Sequence, residues 1–359
     1  MNNIFKKTSV FRVPVAGLAL MLMGAGCFGG GDSTVTSGGV WQSTDSGKTW
    51  EQTAAVPTAT GVSSLANVDV TTFAIDPQDS SAIYAGTAEN GLFYSLDAGV
   101  SWQRPEEVHA RSGYIVGIGV SAKDVCTYYV AKTDRVMMTE DCGRSFDTGV
   151  YVESSSDVTI TAMALDWYDS RIVWLGTSSG NVIRSVDGGG SWTTMTRLDD
   201  DVTALMISNA DSRIVFAGTK TNGMNRTIDS GVTWTNFEKT LKDFKSSDRV
   251  YGFAQNGDGG LIVMNTKYGL LSSSDNGATW SGISLISSSG EVRIYGLAIA
   301  PESSEIIYYA TDSTLNRSTS AGSAWTTSEL PSTRAGTALL VDPEDSAHLY
   351  LGSATIDTK

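Results

Sequence analysis

The chain has 359 residues, with 39 acidic against 25 basic side chains and a formal charge of −14. That imbalance argues against a basic footprint on nucleic acid and against adhesion to anionic lipid headgroups through a cationic patch.

In chain order, Lys6, Lys7 and Arg12 precede an apolar run from Val13 to Met23, shorter than a permanent bilayer span and fitting a secretory signal over residues 1–26. Gly24-Ala25-Gly26-Cys27 resembles the bacterial lipobox, with Gly24 where that motif usually has Leu. The resemblance implies that Cys27 is lipidated and begins the mature chain, anchoring it to a membrane at the cell envelope. Residues 27–37, rich in Gly and Ser, read as a short flexible tether. Removing residues 1–26 takes away Lys6, Lys7 and Arg12 and no acid, so the formal charge goes from −14 to −17.

From residue 38 onward the pattern Ser/Thr-x-Asp-x-Gly-x-Ser/Thr-aromatic recurs. Its acidic positions are Asp45, Asp97, Asp141, Asp187, Asp229 and Asp275, and a seventh copy, ending at Trp325, carries Ser320 instead. The closing aromatics at 50, 102, 146, 192, 234, 280 and 325 are 42 to 52 residues apart, the period of four-stranded propeller blades. Each Asp can accept N–H bonds inside its own turn and each Gly can take the positive φ that closes it. Three short apolar runs precede each turn and one strand follows it. Residues 38–52 hold only the last two strands of a repeat, and Thr337–Asp342 with His348–Gly352 hold only the first two. Joined, the two halves complete one blade and close the ring. The expected fold is all-β: a seven-bladed propeller over 38–359, of four-stranded blades, closed by half-blades from the two ends.

These repeats resemble those of the bacterial neuraminidase (Asp-box) propellers, a group that includes sialidases, xyloglucanases, sortilin ectodomains and the photosystem II assembly factor. The resemblance covers residues 38–355 and implies that the six aspartates are structural, at the outer rim, with ligands bound at the opposite mouth of the central channel. Calcium would need six to eight oxygens where each turn offers one carboxylate, so no metal site and no cofactor are expected.

Cys126 and Cys142 fall in one blade. A hairpin turning near Thr133 and Asp134 sets them opposite each other on neighbouring strands, so a disulfide is expected in an oxidising compartment. His109 and His348 have neither metal-ligand nor triad spacing.

Residues just before each inner strand line the channel mouth. In register they are Asp69, Tyr114, Thr159, Asp201, Arg249, Arg293 and Ala335, with Arg334 one place earlier. Arg249-Val250-Tyr251-Gly252 and Arg293-Ile294-Tyr295-Gly296 share a local pattern, and with Arg334 they form a candidate basic patch for a carboxylate. The candidate ligand-binding set is Arg249, Arg293, Arg334, Tyr251, Tyr295, Asp69 and Asp201; the alternative is that the arginines are paired with Asp201, Asp248 or Glu291. The connection from Phe237 to Asp248 adds Lys239, Lys242 and Lys245.

No catalytic residues are assigned. The sialidase-like Phe11-Arg12-Val13-Pro14 lies inside the signal segment, and xyloglucanases of this group place their cleft between two propellers, where this chain has one. The expected function is a non-catalytic, monomeric binding or assembly module for a protein or glycan partner. One alternative is a glycan-active hydrolase or lyase, with Asp69, Asp199, Asp200, Asp201 and Glu291 as available carboxylates; another is a protein like the photosystem II assembly factor.

Overall fold

A computed structural model describes residues 38–124 and 126–356. The signal segment, Cys27 and the tether lie outside the described residues.

Seven sheets stand in a ring in sequence order. Blade one joins Ala335–Val341 and Leu349–Ala354 to Gly39–Ser43 and Glu51–Gln52. Val40 pairs with Gly352 and Trp41 with Gln52, so the two ends of the chain complete one sheet. Blades three to seven are consecutive four-stranded antiparallel sheets. Their inner strands are Ile115–Val120, Ile160–Leu165, Val202–Ile207, Val250–Gln255 and Gly296–Ile299.

Blade two departs from the expected four strands. Val70–Asp76, Asp79–Thr87 and Leu92–Ser95 form a three-stranded sheet, and the outer strand shrinks to a bridge between Tyr94 and Gln103. Two local causes are visible. The Trp102 N–H donates to the Ala55 carbonyl of a hairpin, Ala55–Thr58 with Gly61–Ser64, and Pro105 has no N–H to extend the ladder. The hairpin is the insertion that stretches the first repeat.

The core is divided. Seven apolar clusters occur among the described residues, one in each gap between neighbouring blades; Met206, Phe216 and Met224 of blade five meet Val250, Met264 and Trp280 of blade six. Each sheet is therefore buried on both faces, and second strands such as Val173–Thr177, Val215–Thr219 and Ile262–Thr266 read as continuous runs instead of alternating.

The aspartate turns are braced internally by their own side chains. Asp187 accepts the Ser185 hydroxyl (2.8 Å) and the Ser191 N–H (2.8 Å) at Oδ1 and the Ser191 hydroxyl (2.6 Å) at Oδ2. The same three bonds recur at Asp45, Asp97, Asp141, Asp229 and Asp275. In the copy that lacks Asp, Ser320 Oγ accepts the Ala324 N–H at 3.1 Å and meets the Ser318 hydroxyl at 3.5 Å. Glycine is needed in the turn for two reasons: Gly277 has φ +72, and a Cβ there would collide with Phe216 of the preceding blade.

Cys126 and Cys142 are joined as a disulfide, Cα atoms 4.1 Å apart. They do not lie on neighbouring strands. Paired strands run Tyr128–Lys132 and Arg135–Thr139, and both cysteines sit in the turns beyond them with positive φ, the Cys142 N–H donating to the Cys126 carbonyl. The ladder ends at Tyr128 opposite Thr139 because each aspartate-turn strand stops where its hydroxyl residue caps the loop.

Candidate functional site

In four blades the residue ahead of the inner strand also receives a backbone bond from the end of the second strand. Ala88 N–H donates to the Asp69 carbonyl, Ser178 to Thr159, Lys220 to Asp201 and Lys267 to Arg249. Side chains at both positions therefore gather at one end of the channel, and Lys220 and Lys267 stand beside the residues expected there.

The three arginines separate. Arg334 Nη1 lies 2.7 Å from Asp69 Oδ1 and also donates to the Asn67 carbonyl at 3.0 Å, with 14% of its side chain exposed. Asp69 Oδ1 further accepts the Thr355 N–H at 2.9 Å. This pair ties blade one to blade two, and Arg334 lines a different recess, with Asp312, Thr333 and Thr355. Arg334 and Asp69 are thus occupied with each other and are not part of an open patch.

Arg249 and Arg293 have no carboxylate within 4.0 Å among the described residues, and both are exposed. They share a cavity of about 420 Å³ with Thr161, Asp201, Lys220 and Tyr251. Asp201 is held by the Lys220 ammonium at 2.9 Å, a contact that raises the lysine pKa above its ordinary value. Asp200 caps the next turn by accepting the Thr221 and Asn222 N–H groups. Among the described residues, the mouth on blades five to seven keeps two guanidinium charges with no carboxylate in ion-pair range.

Arg293 is positioned by rings. Its guanidinium carbon lies 4.8 Å from the Tyr251 centroid and 5.1 Å from that of Tyr295. Those tyrosines belong to a layer set by β-bulges. In six inner strands the register slips by one residue, at Thr71, Val116, Thr161, Thr203, Tyr251 and Thr337, and Tyr295 takes the same place in blade seven. Three of the four threonines fold back onto the next blade: Thr71 donates to Ile115 O, Thr203 to Val250 O and Thr337 to Val70 O, while the buried Thr161 hydroxyl has no partner among the described residues. Tyrosine cannot make that short bond, so blades six and seven present rings to the channel instead.

The remaining sequence candidates lie elsewhere. Lys239, Lys242 and Lys245 are exposed on a connection pinned by buried Phe237 and Leu241. His348 Nδ1 sits 3.3 Å from Asp342, and His109 lies in the 3-10 turn Val108–Arg111, its carbonyl accepting from Lys132. Among the described residues no group of three or more His, Cys, Asp or Glu is placed to hold a metal ion. Reasoning from sequence missed Lys220 and Lys267; the signal was the Thr-Lys that ends the second strands of blades five and six.

Comparison with protein-family models and with curated proteins gives no match. Among solved structures, the GH74 xyloglucanase of Xanthomonas campestris superposes with a TM-score of 0.63 at 16% identity, over 80% of this chain and 51% of that one. YCF48 bound to a D1 peptide superposes with a TM-score of 0.61 at 14% identity, over 81% of this chain and 93% of that one. YCF48 from Cyanidioschyzon merolae gives 0.57 and 13%, over 83% and 98%. What they share is the propeller fold. This chain spans about half the length of the GH74 structure and nearly all of either YCF48.

Proposed function

We propose that this chain is a non-catalytic binding or assembly module, exported and held at the membrane surface through a lipidated Cys27, which captures an anionic segment of a protein partner at the channel mouth. The observation that carries the reading is the pair Arg249 and Arg293. In a chain with a large excess of acids, these two guanidinium groups face a shared cavity with no carboxylate in ion-pair range among the described residues. Planar donor forks of this kind match a carboxylate. Of the carboxylates a hydrolase would draw on, Asp69 and Asp201 are engaged by Arg334 and Lys220. The YCF48 likeness, with its bound D1 peptide, supports a protein ligand for a single propeller of this size and makes an assembly factor of that kind the narrower form of the proposal. Export and anchoring rest on the sequence at Lys6 to Cys27.

The second reading is a glycan-active hydrolase or lyase, favoured by the fold likeness to GH74 enzymes. Partner capture by wild type and by the Arg249→Glu/Arg293→Glu double variant separates the two. Loss of a captured protein supports the binding module, and turnover of glycan that survives the double variant supports the enzyme.

A further inference from the structure

Below the mouth, the channel holds a second cavity of about 410 Å³ whose lining includes Thr71, Tyr251, Gly252, Asn265, Tyr295 and Thr337. Asn265 is the departure. Across the seven blades, the second-strand residue opposite this level of the inner strand is Gly86, Ala131, Gly176, Gly218, Asn265, Ala310 and Gly352. The small residues have a packing reason: a Cβ on Gly176 would meet Val202, on Gly218 Val250 and on Gly352 Val70. Blade six alone carries a polar side chain there.

That side chain is 4% exposed. Its amide nitrogen donates to the Ile294 carbonyl at 3.1 Å, which fixes the orientation of the amide, and its Oδ1 has no hydrogen-bond partner. A buried acceptor left unmet is costly, so a polar ligand that supplies a donor is favoured at this point. Neighbouring Gly252 leaves room, since a Cβ built on it meets nothing within 4 Å. The threonine hydroxyls have given their protons to backbone carbonyls, so their oxygens are also acceptors toward the cavity. Tyr251 lines both cavities, and Arg293 lies over its ring.

We propose that this chamber is an interior subsite for an anion that carries a hydroxyl donor, its carboxylate held by Arg293 at the mouth and its hydroxyl bonded to Asn265 Oδ1. The inference rests on the mouth reading above and adds a requirement on the ligand. The same chemistry is available from a free hydroxy acid or from a hydroxyl-bearing acidic stretch of a captured protein.

Titration calorimetry on the full chain tests it with two matched pairs: gluconate against hexanoate, and the peptide Gly-Ser-Asp-Ser against Gly-Ala-Asp-Ala. Wild type should bind the donor-bearing member of at least one pair about tenfold more tightly. The pair that shows the preference identifies the source. Asn265→Leu should remove the preference, and Gly252→Val, which fills open space on an ordinary strand backbone, should block the donor-bearing probe while the protein melts as wild type does. Arg249→Glu/Arg293→Glu should lose all binding. Equal binding within both pairs, no binding of any probe, or an unchanged preference in a folded Gly252→Val protein would overturn the chamber. If only the arginine variant loses binding, the mouth reading stands and the chamber falls.

Discussion

The guanidinium of Arg293 in blade seven lies 4.8 Å from the ring centroid of Tyr251 in blade six. A ring face orders a cation without neutralising it, at about 0.5–1 kcal/mol for an exposed site. The charge is therefore held in place yet left available to a carboxylate. Arg334 shows the contrasting use of the same residue type, since its charge is met by Asp69 and serves ring closure.

Arg334→Met should lower stability by about 1–3 kcal/mol, because a largely buried ion pair loses one partner while Asp69 stays in place. Partner capture should remain as in wild type. Denaturant melts run beside a capture assay measure both, and lost capture with unchanged stability would restore Arg334 to the binding patch.

Ser95→Ala tests the turns from their buried side. Ser95 is fully buried, donates to Asp97 at 2.7 Å and accepts the buried Gly99 N–H at 2.8 Å. Removing the hydroxyl strands that N–H, at an expected cost of about 1–3 kcal/mol. Ser101→Ala, on the exposed side of the same aspartate, should cost less than about 0.5 kcal/mol. Urea melts of the two variants should therefore differ clearly, and equal costs would count against the buried serine as the anchor.

Acid should loosen the aspartate turns in a defined window. At Asp45 the Thr49 N–H, and at Asp141, Asp187, Asp229 and Asp275 chiefly the Ser or Thr hydroxyl four residues on, pull the carboxyl from its ordinary 3.8 down to about 2. A depressed carboxyl binds fewer protons folded than unfolded, so its contribution is fully present above about pH 4 and is lost as pH falls toward 2. Melting temperature should fall between pH 4 and pH 2, and converting these aspartates to asparagine should flatten that fall. A melting profile that drops mainly above pH 5 would contradict this assignment.

How far the sequence leads depends on whether a feature is local. The aspartate turns lie within eight residues each, and their period sets the blade count; the half-repeats at the two ends then require Gly39–Ser43 to pair with Leu349–Ala354. The pairing of Arg334 with Asp69 is invisible at that level, because 265 residues separate them and only ring closure brings them together. The bulge layer was partly legible: Thr71, Thr203 and Thr337 align with Tyr251 and Tyr295, yet the slip that turns them to the channel is a property of strand pairing. The hairpin Ala55–Thr58 with Gly61–Ser64 was missed because it interrupts the repeat, and the cysteines were set on strands because a hairpin register says nothing about where its strands end.

The central claim is that two arginines at the channel mouth capture a protein partner. Its most direct measurement is cross-linked affinity capture of the full-length chain from its own membranes, with the Arg249→Glu/Arg293→Glu variant alongside and both checked for equal melting temperature. The account predicts a discrete protein bound by wild type and lost in the variant. Equal capture by the two proteins, or retention of glycan and no protein by wild type, would contradict it.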